Sequence, residues 1–203
     1  MIMYQDSNMS EIVKLSELDG NQLDQAIDVF IEGFYNTLKS VTKDKAKIHR
    51  LFRNTFDCDM TYAYLHDGNT VGFLGLADHK KRPIKLSKEV FIEELGGFTG
   101  KMSYNAVSAA MEKIKVDNPE EVCIDYIATH PEYRSMGIGK KLIEYVRDNL
   151  DYRYIWLEVS STNPRAVAFY EREGFKKTSV KTNLLVMLQG FGKTITMTME
   201  VEQ

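Results

Sequence analysis

Residues 125–142 read DYIATHPEYRSMGIGKKL: a β-branched strand, a turn bearing two glycines, and the opening of an amphipathic helix. A strand that hands over to an amphipathic helix through a glycine-bearing turn limits this chain more than any other feature of it. The joint also has a chemistry. The first N–H groups of a helix lack intrahelical partners and sit at the positive end of its dipole, so an anion is stabilised there without side-chain charge. Gly137 and Gly139 leave room for a bulky diphosphate, and Arg134 and Lys140 add fixed positive charge.

Spacing decides which phosphate loop this is. A dinucleotide fingerprint requires G-x-G-x-x-G, and Leu142 stands where the third glycine belongs. A Walker loop requires G-x-x-x-x-G-K followed by Ser or Thr. The run Gly192, Lys193, Thr194 has Met187 in place of the first glycine and leads into a strand pattern instead of a helix. What remains is Arg134-x-x-Gly137-x-Gly139. A second pattern lies downstream, where Tyr154-Ile-Trp-Leu-Glu-Val159 reads as a buried strand, Asn163 as a helix cap and Pro164 as the first helical residue. Ala166, Val167, Phe169 and Tyr170 then form an apolar stripe, stopped by Gly174 before Phe175.

Together, Arg134-x-x-Gly137-x-Gly139 and Asn163-x-x-Ala166-x-x-Phe169-Tyr170-x-x-x-Gly174-Phe175 resemble the pyrophosphate loop and the closing motif of the GNAT superfamily of acetyl-CoA-dependent N-acetyltransferases. The resemblance is firm from about residue 122 to residue 176 and topological elsewhere. It implies an α/β (α+β) GNAT fold: a mixed, mostly antiparallel sheet of about seven strands with flanking helices and a splayed pair formed by the fourth and fifth strands. It implies acetyl-CoA or coenzyme A as co-substrate, and no metal. Its diphosphate would lie on Arg134, Ser135, Met136, Gly137, Ile138, Gly139 and Lys140, and its pantetheine arm on Asn163 and the main chain of Ile127, Ala128 and Thr129. The same main-chain amides would stabilise charge growing on the thioester oxygen.

The resemblance also proposes catalytic groups. Tyr170 is similar to the family's tyrosine acid, which protonates the departing thiolate. Two carboxylates compete as the base that takes the proton of the incoming ammonium. Glu158 is placed like the base of ribosomal-protein N-terminal acetyltransferases. Asp125 shares the strand parity expected of Cys123 and Ile127, close to where other members carry a glutamate. Each has a structural alternative: a hydrogen bond within the strand for Glu158, a neighbour capping Asp125, core packing for Tyr170 and plain helix capping for Asn163.

The rest of the chain adds a frame. A short strand at 11–15, helices at 19–38 and 43–56, and strands at 61–65 and 70–76 around Asp67-Gly68-Asn69 give strand, two helices, hairpin. Residues 79–118 depart from a minimal family member, with the basic run His79-Lys-Lys-Arg-Pro83 and two helical patterns broken at Gly96-Gly97. Basic charges there could meet cofactor phosphates, although such a run usually forms a solvated loop. The helices, with Val107, Ala110, Met111 and Ile114 on the second, could complete the core, roof a substrate pocket or form a homodimer face. A last hairpin is expected from 184–188, a turn at 189–193 and a strand at 194–201. We expect one domain over residues 1–203, with 79–118 as a helical insertion.

Composition excludes other classes. A net charge of -3 and a pI near 5.9 give nucleic acid no basic face. Cys58 and Cys123 suit a reduced, cytoplasmic protein, and His49, His66, His79 and His130 have no metal-ligand spacing. No targeting succession or membrane-length apolar run occurs. The expected partner is a small-molecule or peptide amine, acetylated by direct transfer. Polyamines, aminoglycosides, amino acids and protein N-termini all remain open as acceptors, longer acyl donors would require only a different pocket, and a catalytically silent sensor that keeps acyl-CoA binding is the rival from another class.

Overall fold

The hydrophobic periods resolve into the two faces of one twisted sheet. A computed structural model of the chain describes residues 10–112, 114–182 and 192–201. Its strands are β1 (Ser10–Lys14), β2 (Thr61–His66), β3 (Asn69–Ala77), β4 (Glu121–Thr129), β5 (Tyr154–Ser160), β6 (Lys176–Lys181) and β7 (Thr194–Glu200), in the spatial order β1-β2-β3-β4-β5-β7-β6. Every neighbouring pair is antiparallel except β4 and β5, which are parallel. The helices are α1 (Gly20–Leu38), α2 (Lys45–Phe52), α3 (Lys88–Leu95), α4 (Gly97–Met111), α5 (Ile138–Asn149) and α6 (Pro164–Arg172).

Local chemistry sets most boundaries. Asp19 and Gln22 exchange side-chain to backbone hydrogen bonds at the start of α1, and Asp44 accepts from Ala46 and Lys47 at α2, which therefore begins later than the period alone suggests. Asp67 and Gly68 both have positive φ, 50° and 77°, as the tight β2–β3 hairpin requires. Gly96, at φ 86°, separates α3 from α4.

One face of the sheet carries α5 and α6 over Leu74, Val122, Ile124, Ile155 and Leu157. The other carries α1 and α2 around Phe30, whose ring centroid lies 4.8–5.5 Å from those of Phe34, Phe52, Phe56, Phe73 and Tyr126. The C-terminus of α4 is tied to this second face. Tyr126 Oη donates to the Met111 carbonyl at 2.6 Å, Leu86 N–H donates to Glu112 Oε1 at 2.8 Å, and Arg82 donates to the Glu112 carbonyl. Tyr126→Phe should leave the Met111 carbonyl without its buried donor and lower the unfolding free energy by about 1–2 kcal/mol, measured by urea denaturation. The basic run is occupied in the same way, Lys81 pairing with Asp59 at 2.7 Å while Arg82 serves α4.

Three expectations change. The strand beside β7 is Lys176–Lys181, a polar edge strand; residues 184–188 and most of the expected turn lie outside the described residues. The parity linking Asp125 to Ile127 fails. Gly75 pairs with Tyr126 but Leu76 pairs with Ile124, so Asp125 is the extra residue of a β-bulge, and beyond it Tyr126 and Ala128 face α1 while Ile127 faces α5. The second helix is the shorter Lys45–Phe52.

Candidate active site

The parallel ladder between β4 and β5 is short. Its register runs through Glu121↔Tyr154, Val122↔Ile155, Cys123↔Trp156 and Ile124↔Leu157, and ends there. Beyond it, the residues from Tyr126 to Thr129 keep pairing with β3 and leave the β5 ladder, while β5 continues along β7. Ile127, Ala128 and Thr129, expected to offer main-chain contacts, all lie in this diverging stretch. Unpaired strand edges of this kind accept an extended chain through backbone hydrogen bonds.

At the C-terminal end of β4 the chain makes a short 3-10 turn, Pro131–Tyr133, and enters α5 through two left-handed residues, Ser135 at φ 67° and Gly137 at φ 77°. Gly137 is the N-cap, and the first intrahelical bond of α5 runs from Lys141 N–H to the Gly137 carbonyl at 3.0 Å. The N–H groups of Ile138, Gly139 and Lys140 precede it and lie ahead of the helical ladder. A Cβ built on Gly137 would meet no atom within 4 Å, so the space over this turn is open. Arg134, Ser135, Met136 and Lys140 are exposed around it, Lys140 within 3.7 Å of Glu144. The cradle can therefore admit an anionic linker against backbone amides. At Gly139 the missing Cβ also makes room for the Phe169 ring of α6, 3.3 Å from where that Cβ would stand.

The catalytic candidates divide between the two faces of the gap. Asp125 and Glu158 line one cavity of about 190 Å³ on the α1 side, together with Phe34 and Thr37 of α1, Ala110 and Met111 of α4, and Tyr126. Glu158 Oε1 lies 3.7 Å from Lys181 Nζ, a long ion pair. Burial first and the Asp125 charge second hold the Tyr126 phenol well above its usual range, so it remains a hydrogen-bond donor. Tyr170 packs on the opposite side with the α5–α6 core, its ring 5.2 Å from that of Phe169 and 5.8 Å from that of Phe175. Burial pushes its phenol up to about 12. Asn163 Oδ1 accepts from Ala166 N–H at 3.2 Å, so the capping explanation is realised in the structure.

Phe34, Thr37 and Tyr126 had no signal in the sequence. The first two belong to an ordinary helical stripe, and Tyr126 enters the cavity because the bulge turns it there. Cys123, the other cavity residue with reactive chemistry, is fully buried in the wall.

A sheet whose fourth and fifth strands part beside an anion-ready helix start is the arrangement that the two sequence motifs lead one to expect. The chain matches the model of the Acetyltransferase (GNAT) family over residues 28–175 and belongs to that family. Among its relatives is the ribosomal protein bS18-alanine N-acetyltransferase of Escherichia coli K12, 32% identical over 85 residues, or 40% of this chain and 57% of that protein. Another is the 5-NmdU N-acetyltransferase of Pseudomonas phage PaMx11, 41% identical over 61 residues, 30% of this chain and 43% of that one. The chain thus spans little more than half the length of the first of these relatives and less than half of the second. Among solved structures, the E. coli ribosomal-protein-S18-alanine N-acetyltransferase aligns with a TM-score of 0.55 at 18% identity, covering 96% of each chain. A GNAT family acetyltransferase from Elizabethkingia anophelis with acetyl-CoA bound aligns at 0.53 and 12% identity, over 97% of this chain and 99% of that one. At such identities the likeness establishes the fold. No helix among the described residues is long and apolar enough to cross a membrane.

Proposed function

We propose that this protein is an N-acetyltransferase that moves an acetyl group from acetyl-CoA directly to a primary amine of a small molecule or peptide. The observation that carries this reading is the end of the β4–β5 ladder at Ile124↔Leu157, next to the open cradle at Gly137 and between two carboxylates on one face and a tyrosine on the other. The E. coli and phage relatives are N-acetyltransferases by name, and the Elizabethkingia structure holds acetyl-CoA.

Acetyl-CoA would supply a thioester open to attack by an amine. The first N–H groups of α5, with Arg134 and Lys140, would hold its diphosphate; Ile127, Ala128 and Thr129 would pair with the pantetheine arm, and Asn163 would offer its amide nitrogen. Glu158 or Asp125 takes a proton from the ammonium, since the neutral amine is the nucleophile. Tyr170 keeps its proton on Oη and can donate it toward sulfur. With that phenol at about 12, an activity loss between pH 8 and 10 should not arise from its ionisation, and Tyr170→Phe should lower kcat while leaving the alkaline profile in place.

The test is thiol release from acetyl-CoA across a broad panel of amines. Turnover of at least one amine, lost in Tyr170→Phe, supports the reading; coenzyme A binding with no release from any amine would replace it with the sensor. The cradle has its own test. Gly137→Glu should weaken coenzyme A binding at least tenfold by calorimetry, because a carboxylate enters the space meant for a diphosphate. At φ 77° any side chain at this position also costs about 1 kcal/mol of stability. Gly137→Ala bears the same backbone cost without the charge, and should keep most of the affinity.

A further inference from the structure

The acceptor is narrowed by a second cavity, an inference that rests on the acetyltransferase reading above. The cavity holding Asp125 and Glu158, at about 190 Å³, falls below the range of pockets that enclose a drug-sized ligand, so it has room for an amine and a few carbons. A larger one of about 630 Å³ lies between the C-terminal end of α1 and α4, and Thr37, Ala110 and Met111 form a wall common to both. Leu38, Val41, Met102, Ala106 and Val107 make the groove apolar, and none of the described residues lining it is charged. Met102 stands 58% exposed at its outer end, and Phe98, one turn earlier on α4, is 79% exposed. Large apolar side chains left uncovered in this way mark a surface that gains by being covered.

We infer that the acceptor is a primary amine joined to an uncharged apolar chain, with its ammonium at Asp125 and Glu158 and its chain laid along the groove between α1 and α4. The charge pattern decides between acceptor classes. Both carboxylates sit in the smaller cavity. A polyamine or aminoglycoside would carry a second cation into the groove, where the described lining offers no counter-charge and desolvation is unfavourable. A methylene buried there instead gains about fourfold in affinity. The same chemistry is found in small alkylamines and in peptides whose free amino terminus is followed by apolar residues.

The experiment measures kcat/KM by thiol release with n-propylamine, n-hexylamine, n-octylamine and spermidine, and with two tripeptide amides, Ala-Leu-Leu and Ala-Lys-Lys. The expected result is a rise of at least tenfold from propylamine to octylamine, with spermidine below octylamine and Ala-Leu-Leu above Ala-Lys-Lys; whichever apolar acceptor is better identifies the source. Ala106→Glu, on an exposed position of α4 that tolerates a helix former, should flatten the alkylamine series and improve spermidine. Turnover with no length dependence, or with spermidine preferred, overturns the inference and leaves the acetyltransferase reading standing. Should no amine turn over, calorimetric titration decides separately. Octylamine must then bind wild type at least tenfold more tightly than propylamine, and Ala106→Glu must erase the difference; equal binding overturns the inference.

Discussion

Glu158→Gln is expected to lower kcat by about 10²–10⁴-fold, the usual worth of a positioned general base. The substitution preserves shape and removes the ability to accept a proton as a carboxylate. It also removes a charge that attracts the ammonium, so KM should rise as well; the two effects separate when single-turnover rates are measured at saturating amine. Asp125 lines the same cavity, which makes Asp125→Asn the necessary companion. If Glu158 is the base, Asp125→Asn should chiefly raise KM. A kcat loss confined to Asp125→Asn would reassign the role, and kcat unchanged within threefold in both variants would mean that neither carboxylate takes the proton. The double variant should not multiply the single losses, because two groups acting on one proton transfer are not independent.

Phe30→Ala should reduce the unfolding free energy by about 3–5 kcal/mol, as for a fully buried aromatic truncated in a core that cannot close around the void. In a chain of this size that corresponds to a drop on the order of 10 °C in Tm, read by calorimetry. Phe30 is completely buried and touches five other rings, two of which, Phe34 and Tyr126, wall the carboxylate cavity. Loss of this side chain should therefore reach the site. Amine KM is expected to rise at temperatures where the variant is still folded, while Phe30→Leu, which refills much of the volume, should restore KM and cost only about 1 kcal/mol. Stability unchanged in Phe30→Ala would show that the second core is not organised around this ring.

Much of the fold was legible because its signals are local. The turn at Asp67 and Gly68, the cap at Asn163 and the glycine entry to α5 depend on residues close in sequence, and each lies where its motif put it. The parting of β4 and β5 was legible only through likeness to a family. Three features were hidden for physical reasons. β6 is an edge strand with mostly exposed side chains, so its sequence, KKTSVK, lacks the alternation that marks a half-buried strand. The extra residue at Asp125 is fixed by pairing with Gly75 and Leu76, some fifty positions away, and no local composition announces it. The approach of Phe169 to Gly139, from thirty positions on, has no local signal either. The cavity itself joins Thr37 to Ala110 and Glu158, a meeting that helix and strand periods cannot foresee.

The irregularity in β4 has one more consequence. Upstream of Asp125 the even-numbered positions Val122 and Ile124 belong to the core under α5, and downstream of it Tyr126 and Ala128 belong to the core under α1. A single strand thus changes allegiance midway, and the residue at the changeover is claimed by neither hydrophobic layer. Substitutions there can retune acidity or size without repacking either one, and deleting that residue would place Ile124 and Tyr126 in plain alternation, so that every side chain from Tyr126 to Thr129 keeps its face and both layers stand while the carboxylate is lost.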